Sequence, residues 1–230
     1  MIDVAANYRT IVERIGDAAS KVGRRPEEIK ILAAAKSQEV DLVRLAIAAG
    51  VRMIGENYVQ EAEIKKQAVS ESVEWHMIGH LQRNKAKTAV RLFDLIQTLD
   101  STALAFELNK EGKKQEKMIR ALIEVNLGGE ANKSGIAKDQ VPEIFKMLGD
   151  LTYLRVEGLM TVPPFKENPE DERPYFVSLR ELKTELEKLK VPNAPLKELS
   201  MGMTHDYPVA VEEGATIVRI GTALFGPRKT

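Results

Sequence analysis

The chain has no cysteine among its 230 residues. Disulfide frameworks and thiolate metal sites are therefore excluded, and this composition is typical of a reducing compartment. Lysine plus arginine and aspartate plus glutamate number 34 each, so the formal net charge is zero and the basic field that nucleic acid requires is missing. No apolar stretch approaches the roughly 20 residues of a membrane span, and the N-terminus does not resemble a secretory signal. We expect a soluble, cytoplasmic protein that binds neither nucleic acid nor membrane.

Short apolar runs alternate with longer amphipathic ones along the chain. The predicted strands cover residues 29–35, 52–55, 74–79, 95–99, 121–127, 154–160, 196–201 and 217–221. Helices are predicted between them, and an additional helix is predicted over residues 3–22. Apolar strands separated by helices are typical of a parallel sheet, and eight such units predict an α/β fold, a (β/α)8 TIM barrel formed as one domain by residues 1–230. A doubly wound open sheet is the alternative, which the lack of a Gly-x-Gly-x-x-Gly turn disfavours.

Two of the predicted connections are longer than the others. Residues 110–117 form a run of mostly charged residues, which predicts a solvated surface turn. Residues 162–169 contain three prolines and follow the sixth predicted strand. In a barrel this second loop lies on the C-terminal rim, where functional loops are found, although a plain spacer has the same sequence character.

Several polar residues occur inside the predicted strands. The outward face of a helix-coated barrel must be apolar, so alternation along each strand predicts that these polar side chains point into the barrel. The predicted interior residues are His76, His80, Glu124, Asn126 and Arg219, with Glu157 as a further candidate. Buried charges need a partner or a ligand, and a purely structural network among these groups is the alternative to a binding site.

Lys36 follows the apolar run of residues 31–35. A charged side chain at the end of a buried strand costs desolvation energy unless it has a partner or a function. A lysine in such a position can lose its proton and become a nucleophile toward aldehydes. The alternative is a strand-end lysine whose ammonium group reaches solvent.

The C-terminal ends of barrel strands are where ligand-binding residues gather. Those ends carry Lys36, Asn57, His80, Asn126, Met160, residues 200–204 and residues 219–222. The last two segments are glycine-plus-hydroxyl turns that lead toward helices, a combination that binds phosphate after the seventh and eighth strands of barrels. An amine for an aldehyde, a phosphate site and an arginine for a ring nitrogen are what pyridoxal 5'-phosphate (PLP) requires.

These segments resemble the YggS/PROSC family of pyridoxal phosphate homeostasis proteins. The matching stretches, in family order, are residues 35–37, 55–61, 75–85, 132–135, 158–160, 199–203 and 218–226. The resemblance implies a barrel like the N-terminal domain of alanine racemases, with PLP held covalently as a Schiff base on Lys36. It also implies that Arg219 faces the pyridine nitrogen. The other cofactor-binding residues that it implies are Asn57, His80, Met160, Ser200, Met203, Thr204, Gly221 and Thr222.

One segment departs from the family pattern. The family usually has Ser-Asp-Asp after Ser-Met-Gly-Met, whereas this chain has Thr204-His205-Asp206. Threonine preserves the hydroxyl group, so the expected phosphate contact is retained. His205 has no role that the sequence assigns, and an exposed residue at a helix start is the simplest interpretation.

The resemblance implies a monomeric protein that holds PLP, buffers its concentration, passes it to apo-enzymes and thereby affects amino-acid metabolism. A PLP-dependent amino-acid racemase of low activity is the alternative, and a sugar-phosphate isomerase or lyase is a third hypothesis. Two-sided proton transfer needs a second base opposite the lysine, which alanine racemases take from a second domain. The chain ends shortly after the eighth predicted strand, with only His80 and Tyr58 as candidate substitutes. We therefore expect PLP binding without efficient turnover.

Overall fold

The computed structural model describes residues 2–130 and 134–227. Its strands are β1 Lys30–Ala34, β2 Met53–Glu56, β3 Glu74–Met77, β4 Leu95–Leu99, β5 Ile119–Asn126, β6 Ile136–Ala137, β7 Leu154–Met160, β8 Glu198–Ser200 and β9 Ile217–Ile220. Its helices are α1 Val4–Lys21, α2 Val40–Ala49, α3 Val59–Ala68, α4 Ala86–Leu92, α5 Thr102–Lys114, α6 Val141–Leu148, α7 Arg173–Glu187, α8 Tyr207–Glu212 and α9 Thr222–Phe225.

Eight of these strands form a closed parallel barrel. Each pairs with its neighbours in the order β1-β2-β3-β4-β5-β7-β8-β9, and pairing of β9 with β1 closes the ring. The short strand β6 adds to the end of β5, where Val125 is in register with Ile136. The predicted (β/α)8 barrel is thereby confirmed, and β6 is an addition that the sequence analysis missed because it has only two residues.

Alternation along the strands separates two apolar clusters. The larger cluster packs the outer strand face against the helices. The smaller one fills the barrel with one side chain from each of five strands: Leu32, Leu95, Leu122, Met160 and Ile217. Side chains that share the parity of these five therefore point inward, which places polar residues of the same strands inside the barrel.

The helix predicted before the first strand is present as α1. The Asp3 carboxylate caps it by accepting a 2.9 Å hydrogen bond from the backbone N–H of Ala6. Its buried face, which includes Ile11 and Ile15, packs on α2, α8 and α9. This helix covers the barrel next to the junction of β9 and β1. None of the helices within the described ranges is both long and apolar enough to cross a membrane.

The charged run of residues 110–117 is not a solvated turn, and this prediction was wrong. Helix α5 continues through it to Lys114, and Glu111 and Gly112 are buried on its inner face. Glu111 accepts a 2.6 Å bond from Lys114, and the Lys117 ammonium donates to the carbonyl oxygens of Val90 and Phe93 at 2.6 and 3.0 Å. Charge pairs three residues apart support a helix, so a high charge density did not mark a turn here.

Candidate cofactor-binding site

Lys36 lies just beyond β1, where Ala35 still pairs with β2 through a 2.9 Å bond from its N–H to the carbonyl of Gly55. Lys36, Gly221 and Thr222 line one cavity of about 30 Å³, together with Ala34, Gln38 and Gly226. The junction of β1 and β9 thus brings three of the predicted site residues together. A Cβ atom added at Gly221 would come no closer than 3.7 Å to any neighbour, so the backbone is approachable on this side.

Arg219 is buried inside the barrel, as the alternation in β9 predicts. Its guanidinium donates 2.7 Å hydrogen bonds to the Ser200 hydroxyl and to the carbonyl of Thr161. Burial lowers the pKa of Arg219 to about 10, against the opposing influence of Asp206 and Glu124. The side chain therefore keeps its proton at neutral pH and brings a fixed positive charge to the barrel interior.

A chain of hydrogen bonds continues from Arg219 through the barrel. The Ser200 hydroxyl donates to Gln97 Oε1 at 2.6 Å, Gln97 Nε2 lies 2.9 Å from His76 Nδ1, and His76 Nε2 lies 3.1 Å from Glu74. The bond with His76 is the main reason why the pKa of Glu74 is lowered to about 2. Sequence reasoning missed Gln97, although its position two residues after the inward Leu95 was a usable signal.

At the opposite end of the barrel, the series of hydrogen bonds that begins at Arg219 reaches a group of charged residues. Arg120 lies 3.5 Å from Glu74 and donates a 2.9 Å bond to Glu157, which was the further interior candidate. Ser200 is completely buried within this network, and its hydroxyl hydrogen is directed at an amide oxygen. The Ser200 hydroxyl contacts Arg219 and Gln97. Its contact with a phosphate group stays a prediction.

The two glycine turns are joined to each other. The N–H of Arg219 donates to the carbonyl of Gly202 at 2.9 Å, and the Thr204 hydroxyl accepts a 3.2 Å bond from the N–H of Ala223. Gly202 has a φ of +91°, and a Cβ there would lie 2.6 Å from Ala210, so only glycine fits this turn. Residues 200–204 and 219–222 are therefore joined to each other, and Gly221 and Thr222 of the second turn line the Lys36 cavity.

Asn57 and His80 lie elsewhere on the rim. They line a separate cavity of about 390 Å³ between the loops that follow β2 and β3, shared with Tyr58, Gln82 and Lys85. His80 is exposed, and its Nδ1 lies 2.8 Å from the Asp100 carboxylate. Both residues follow their strands rather than belong to them, so alternation does not control their direction. The interior location predicted for His80 was therefore wrong, and its predicted contact with a cofactor ring stays a prediction.

The two predicted methionines differ in setting. Met160 belongs to the apolar filling of the barrel and is almost completely buried, whereas Met203 is half-buried in the turn after β8. The N–H of Met203 donates a 2.5 Å bond to Asp206, which fixes that turn. Contacts of these methionines with a cofactor stay predictions. Of the resembling segment 132–135, Asn132 and Lys133 lie outside the described residues.

Glu124 points into the barrel from β5, as predicted, and is 9% exposed. Its Oε2 atom has no hydrogen-bond partner among the described residues. Burial, and next the charge of Asp100, raise the pKa of Glu124 to about 7, with Arg219 and His80 acting in the opposite direction. Asn126, predicted beside it, instead bonds to the loop after β5, through Glu130 and Gly129.

His205 connects the turn after β8 with the proline-containing loop of residues 162–169. Its ring centroid lies 5.1 Å from that of Phe165, and its Nε2 lies 3.0 Å from the carbonyl oxygen of Glu167. His205 is exposed, as expected, and its contacts hold the loop beside the glycine turns. His205 therefore has a packing partner on the rim.

The chemistry of this donor set fits PLP. Lys36 supplies an amine at the cavity, Arg219 supplies a charged donor inside the barrel, and Thr222 supplies a hydroxyl group beside Gly221 in the Lys36 cavity. The Oε2 atom of Glu124, which has no hydrogen-bond partner among the described residues, can accept a hydrogen bond from, or donate one to, a further polar group inside the barrel.

Comparison with known proteins identifies the family of this chain. The model of the family described as alanine racemase, N-terminal domain, matches residues 4–229. A curated relative from Aquifex aeolicus named pyridoxal phosphate homeostasis protein is 46% identical over 220 residues, which cover 95% of this chain and 96% of the relative. The chain belongs to the family of pyridoxal phosphate homeostasis proteins, within the wider class that shares the alanine racemase N-terminal domain.

Solved structures extend the comparison to three dimensions. PipY of Synechococcus elongatus, in a structure with PLP bound, is 35% identical, with a TM-score of 0.82 and coverage of 94% of this chain and 100% of PipY. Alanine racemase from Corynebacterium glutamicum has a TM-score of 0.73 at 17% identity, covering 96% of this chain and 59% of the racemase. The racemase therefore shows the shared barrel fold alone, while PipY is similar in sequence as well.

Proposed function

We propose that this protein carries PLP as a Schiff base on Lys36 and acts in intracellular PLP (vitamin B6) homeostasis. The observation that carries the proposal is the single cavity that Lys36 shares with Gly221 and Thr222. PLP bound in PipY and the name of the curated relatives support the same ligand class. Direct transfer to apo-enzymes, a monomeric state and a cytoplasmic location are parts of this proposal.

In this proposal, different residues bind different parts of PLP. The Lys36 amine, once deprotonated, adds to the aldehyde carbon of PLP, and water leaves as the C=N bond forms. The glycine turns and the Thr222 hydroxyl bind the phosphate, and Arg219 donates to the pyridine nitrogen. Because Arg219 keeps its proton at neutral pH, that nitrogen stays unprotonated and the ring is a weaker electron sink.

The covalent assignment is tested by borohydride reduction of the PLP-loaded protein followed by peptide mapping. Lys36→Ala should abolish the reduced adduct and the visible absorbance of the Schiff base. Lys85→Ala is the matched control, because Lys85 lines the other rim cavity. An adduct that maps to Lys85, Lys133 or another lysine in the wild type would show that Lys36 is not the attachment site.

The phosphate assignment is tested by comparing PLP with pyridoxal, which lacks the phosphate. Thr222→Ala removes a hydroxyl contact to an anionic ligand and should weaken PLP binding by about 1.5–3 kcal/mol, or roughly 10- to 150-fold. Thr222→Ser, which keeps the hydroxyl group, is the control. Equal affinities of the wild type for pyridoxal and PLP would count against a phosphate site at these turns.

The carrier is distinguished from a racemase by solvent deuterium incorporation at the Cα of L-alanine and other amino acids. The carrier proposal expects spectral changes on amino-acid binding with little exchange. Racemisation needs a second acid–base group opposite Lys36, and each such group contributes about 10²- to 10⁴-fold in rate. Exchange and racemisation at typical enzymatic rates, about 10 per second, would establish an enzyme instead.

A further inference from the structure

Lys65, on α3, makes a buried set of contacts that the sequence analysis did not foresee. Its side chain lies behind the barrel wall and is 7% exposed. The ammonium group donates to the carbonyl oxygen of Ala35 at 2.7 Å, to Glu56 Oε1 at 2.7 Å and to Glu61 Oε2 at 3.4 Å. An ammonium group has three N–H donors, so this geometry uses all of them.

Lys65 and its partner Glu61 bond to the residues that flank Lys36 in the sequence, Ala35 and Ser37. The Ala35 carbonyl belongs to the peptide bond that immediately precedes Lys36. On the other side, the N–H of Ser37 donates a 2.9 Å bond to the same Glu61 oxygen that contacts Lys65. Two side chains of α3 therefore hold the backbone before and after the predicted nucleophile.

The backbone at Ser37 needs such support. Its φ is +59°, in the left-handed region that residues other than glycine rarely adopt. This conformation turns the chain sharply after β1 and directs it toward α2. Lys36 thus lies between a strand end and a strained residue, and its direction depends on what fixes these two neighbours.

The ion pair between Lys65 and Glu56 is buried, and burying it costs free energy. The Glu56 side chain is fully buried, and burial raises the pKa of its carboxyl group, against the opposing influence of Lys65. Buried ion pairs contribute little to stability compared with apolar residues of the same volume. A pair that also bonds to the Ala35 carbonyl gains a positional role that an apolar replacement could not supply.

We propose that Lys65 is a positioning residue, which with Glu56 and Glu61 fixes the backbone around Lys36 so that its amine points into the cofactor cavity. This inference rests on the proposed function, because it assumes that Lys36 attacks an aldehyde. Small errors in the placement of a nucleophile reduce rates by large factors, up to about 10²-fold for a displacement of about 1 Å.

The test measures the rate at which the purified protein forms the Schiff base with PLP. Lys65→Met removes the three donors while preserving an unbranched side chain. Lys65→Met alone leaves the buried Glu56 charge without its partner and can misfold for that reason. The double variant Lys65→Met/Glu56→Gln removes both buried charges and avoids this problem. Lys66→Met is the matched control, because Lys66 is the next residue of the same helix and bonds instead to the carbonyl of Leu92, at 2.5 Å. Thermal unfolding shows that each variant is folded.

Both Lys65 variants should form the adduct about 10- to 100-fold more slowly than the wild type, while Lys66→Met should match it. The induced circular dichroism of the bound chromophore should also change in the Lys65 variants, since it reports the orientation of the ligand. Pyridoxine 5'-phosphate, which has no aldehyde, should bind all variants with equal affinity because it does not need the Lys36 amine.

Wild-type rates and dichroism in both Lys65 variants would overturn the inference. Parallel losses of adduct formation and pyridoxine 5'-phosphate binding would also overturn it, since they indicate general damage to the site. A wild-type protein that forms no adduct at all would instead refute the proposed function, and the inference with it. The two failures are therefore distinguishable.

Discussion

Glu124→Gln should change how the stability of this protein depends on pH. Glu124 is held inside the barrel with one carboxylate oxygen unpartnered among the described residues. Burial is the main reason why its pKa is raised from 4.5 to about 7. The folded protein therefore keeps a proton on Glu124 at pH values where the unfolded chain has already released it.

The size of the effect follows from the pKa change. The shift from 4.5 to about 7, at about 1.36 kcal/mol per unit, corresponds to about 3 kcal/mol. A folded-state pKa above the unfolded value stabilises at low pH, so this contribution is complete below pH 4.5 and is lost as the pH rises through about 7. Glu74 acts in a different window, because its lowered pKa gives stability that is lost only as the pH falls from 4.5 toward about 2.

Urea unfolding at about pH 5 and about pH 8 isolates the contribution of Glu124. Between these two values the wild type should lose about 2.5 kcal/mol more of its free energy of unfolding than Glu124→Gln does, since part of the full effect is already lost at about pH 5. Glu143→Gln, on the exposed face of α6, is the control and should follow the wild type. The reasoning is refuted if wild type and Glu124→Gln lose the same free energy of unfolding across this interval.

Three further substitutions test the packing of the fold. Gly158→Ala should destabilise by more than about 4 kcal/mol, because its Cβ would lie 1.9 Å from the Glu198 carbonyl oxygen. Gly16 lies in α1, and a Cβ added there would be 3.9 Å from its nearest neighbour. Gly16→Ala should therefore stabilise the protein by about 0.5–1 kcal/mol. Equal melting temperatures of the Gly158→Ala and Gly16→Ala variants would contradict this description of the packing. Ser200→Ala should cost about 1–3 kcal/mol in urea unfolding by removing one of the two acceptors of the buried Arg219 guanidinium. An unchanged unfolding midpoint would show that Ser200 does not support Arg219.

Short apolar runs separated by amphipathic helices made the barrel predictable. Strands β4 and β7 have the predicted bounds. All five residues of β4 are buried, and in β7 only Arg155 and Glu157 are not. Strand β8 covers only three residues of the predicted 196–201. Its length is set by pairing with its neighbours, which a pattern within one segment does not contain.

The site was predictable only where strand geometry controls it. Lys36 and Gly221 lie at the ends of paired strands, and the ends of parallel strands share one edge of the barrel. Asn57 and His80 belong to loops, where side-chain direction depends on contacts distant in sequence. Lys65 was overlooked because a lysine on an amphipathic helix is normally exposed, and its acceptor at Ala35 lies 30 residues away.

The hydrogen-bond chain from Arg219 to Glu74 has a fixed polarity. A guanidinium group can only donate, so the Ser200 hydroxyl accepts from it and gives its own hydrogen to Gln97 Oε1. The Gln97 amide must then present its NH₂ group to His76 Nδ1, which leaves the ring proton on Nε2, facing Glu74. The arginine at one end of the barrel thus selects the tautomer of a histidine two hydrogen-bonding residues away, and ¹⁵N chemical shifts of the imidazole would report this selection directly. Protonation of His76 on Nδ1 would require Gln97 to rotate its amide, and the change would be transmitted to the guanidinium of Arg219.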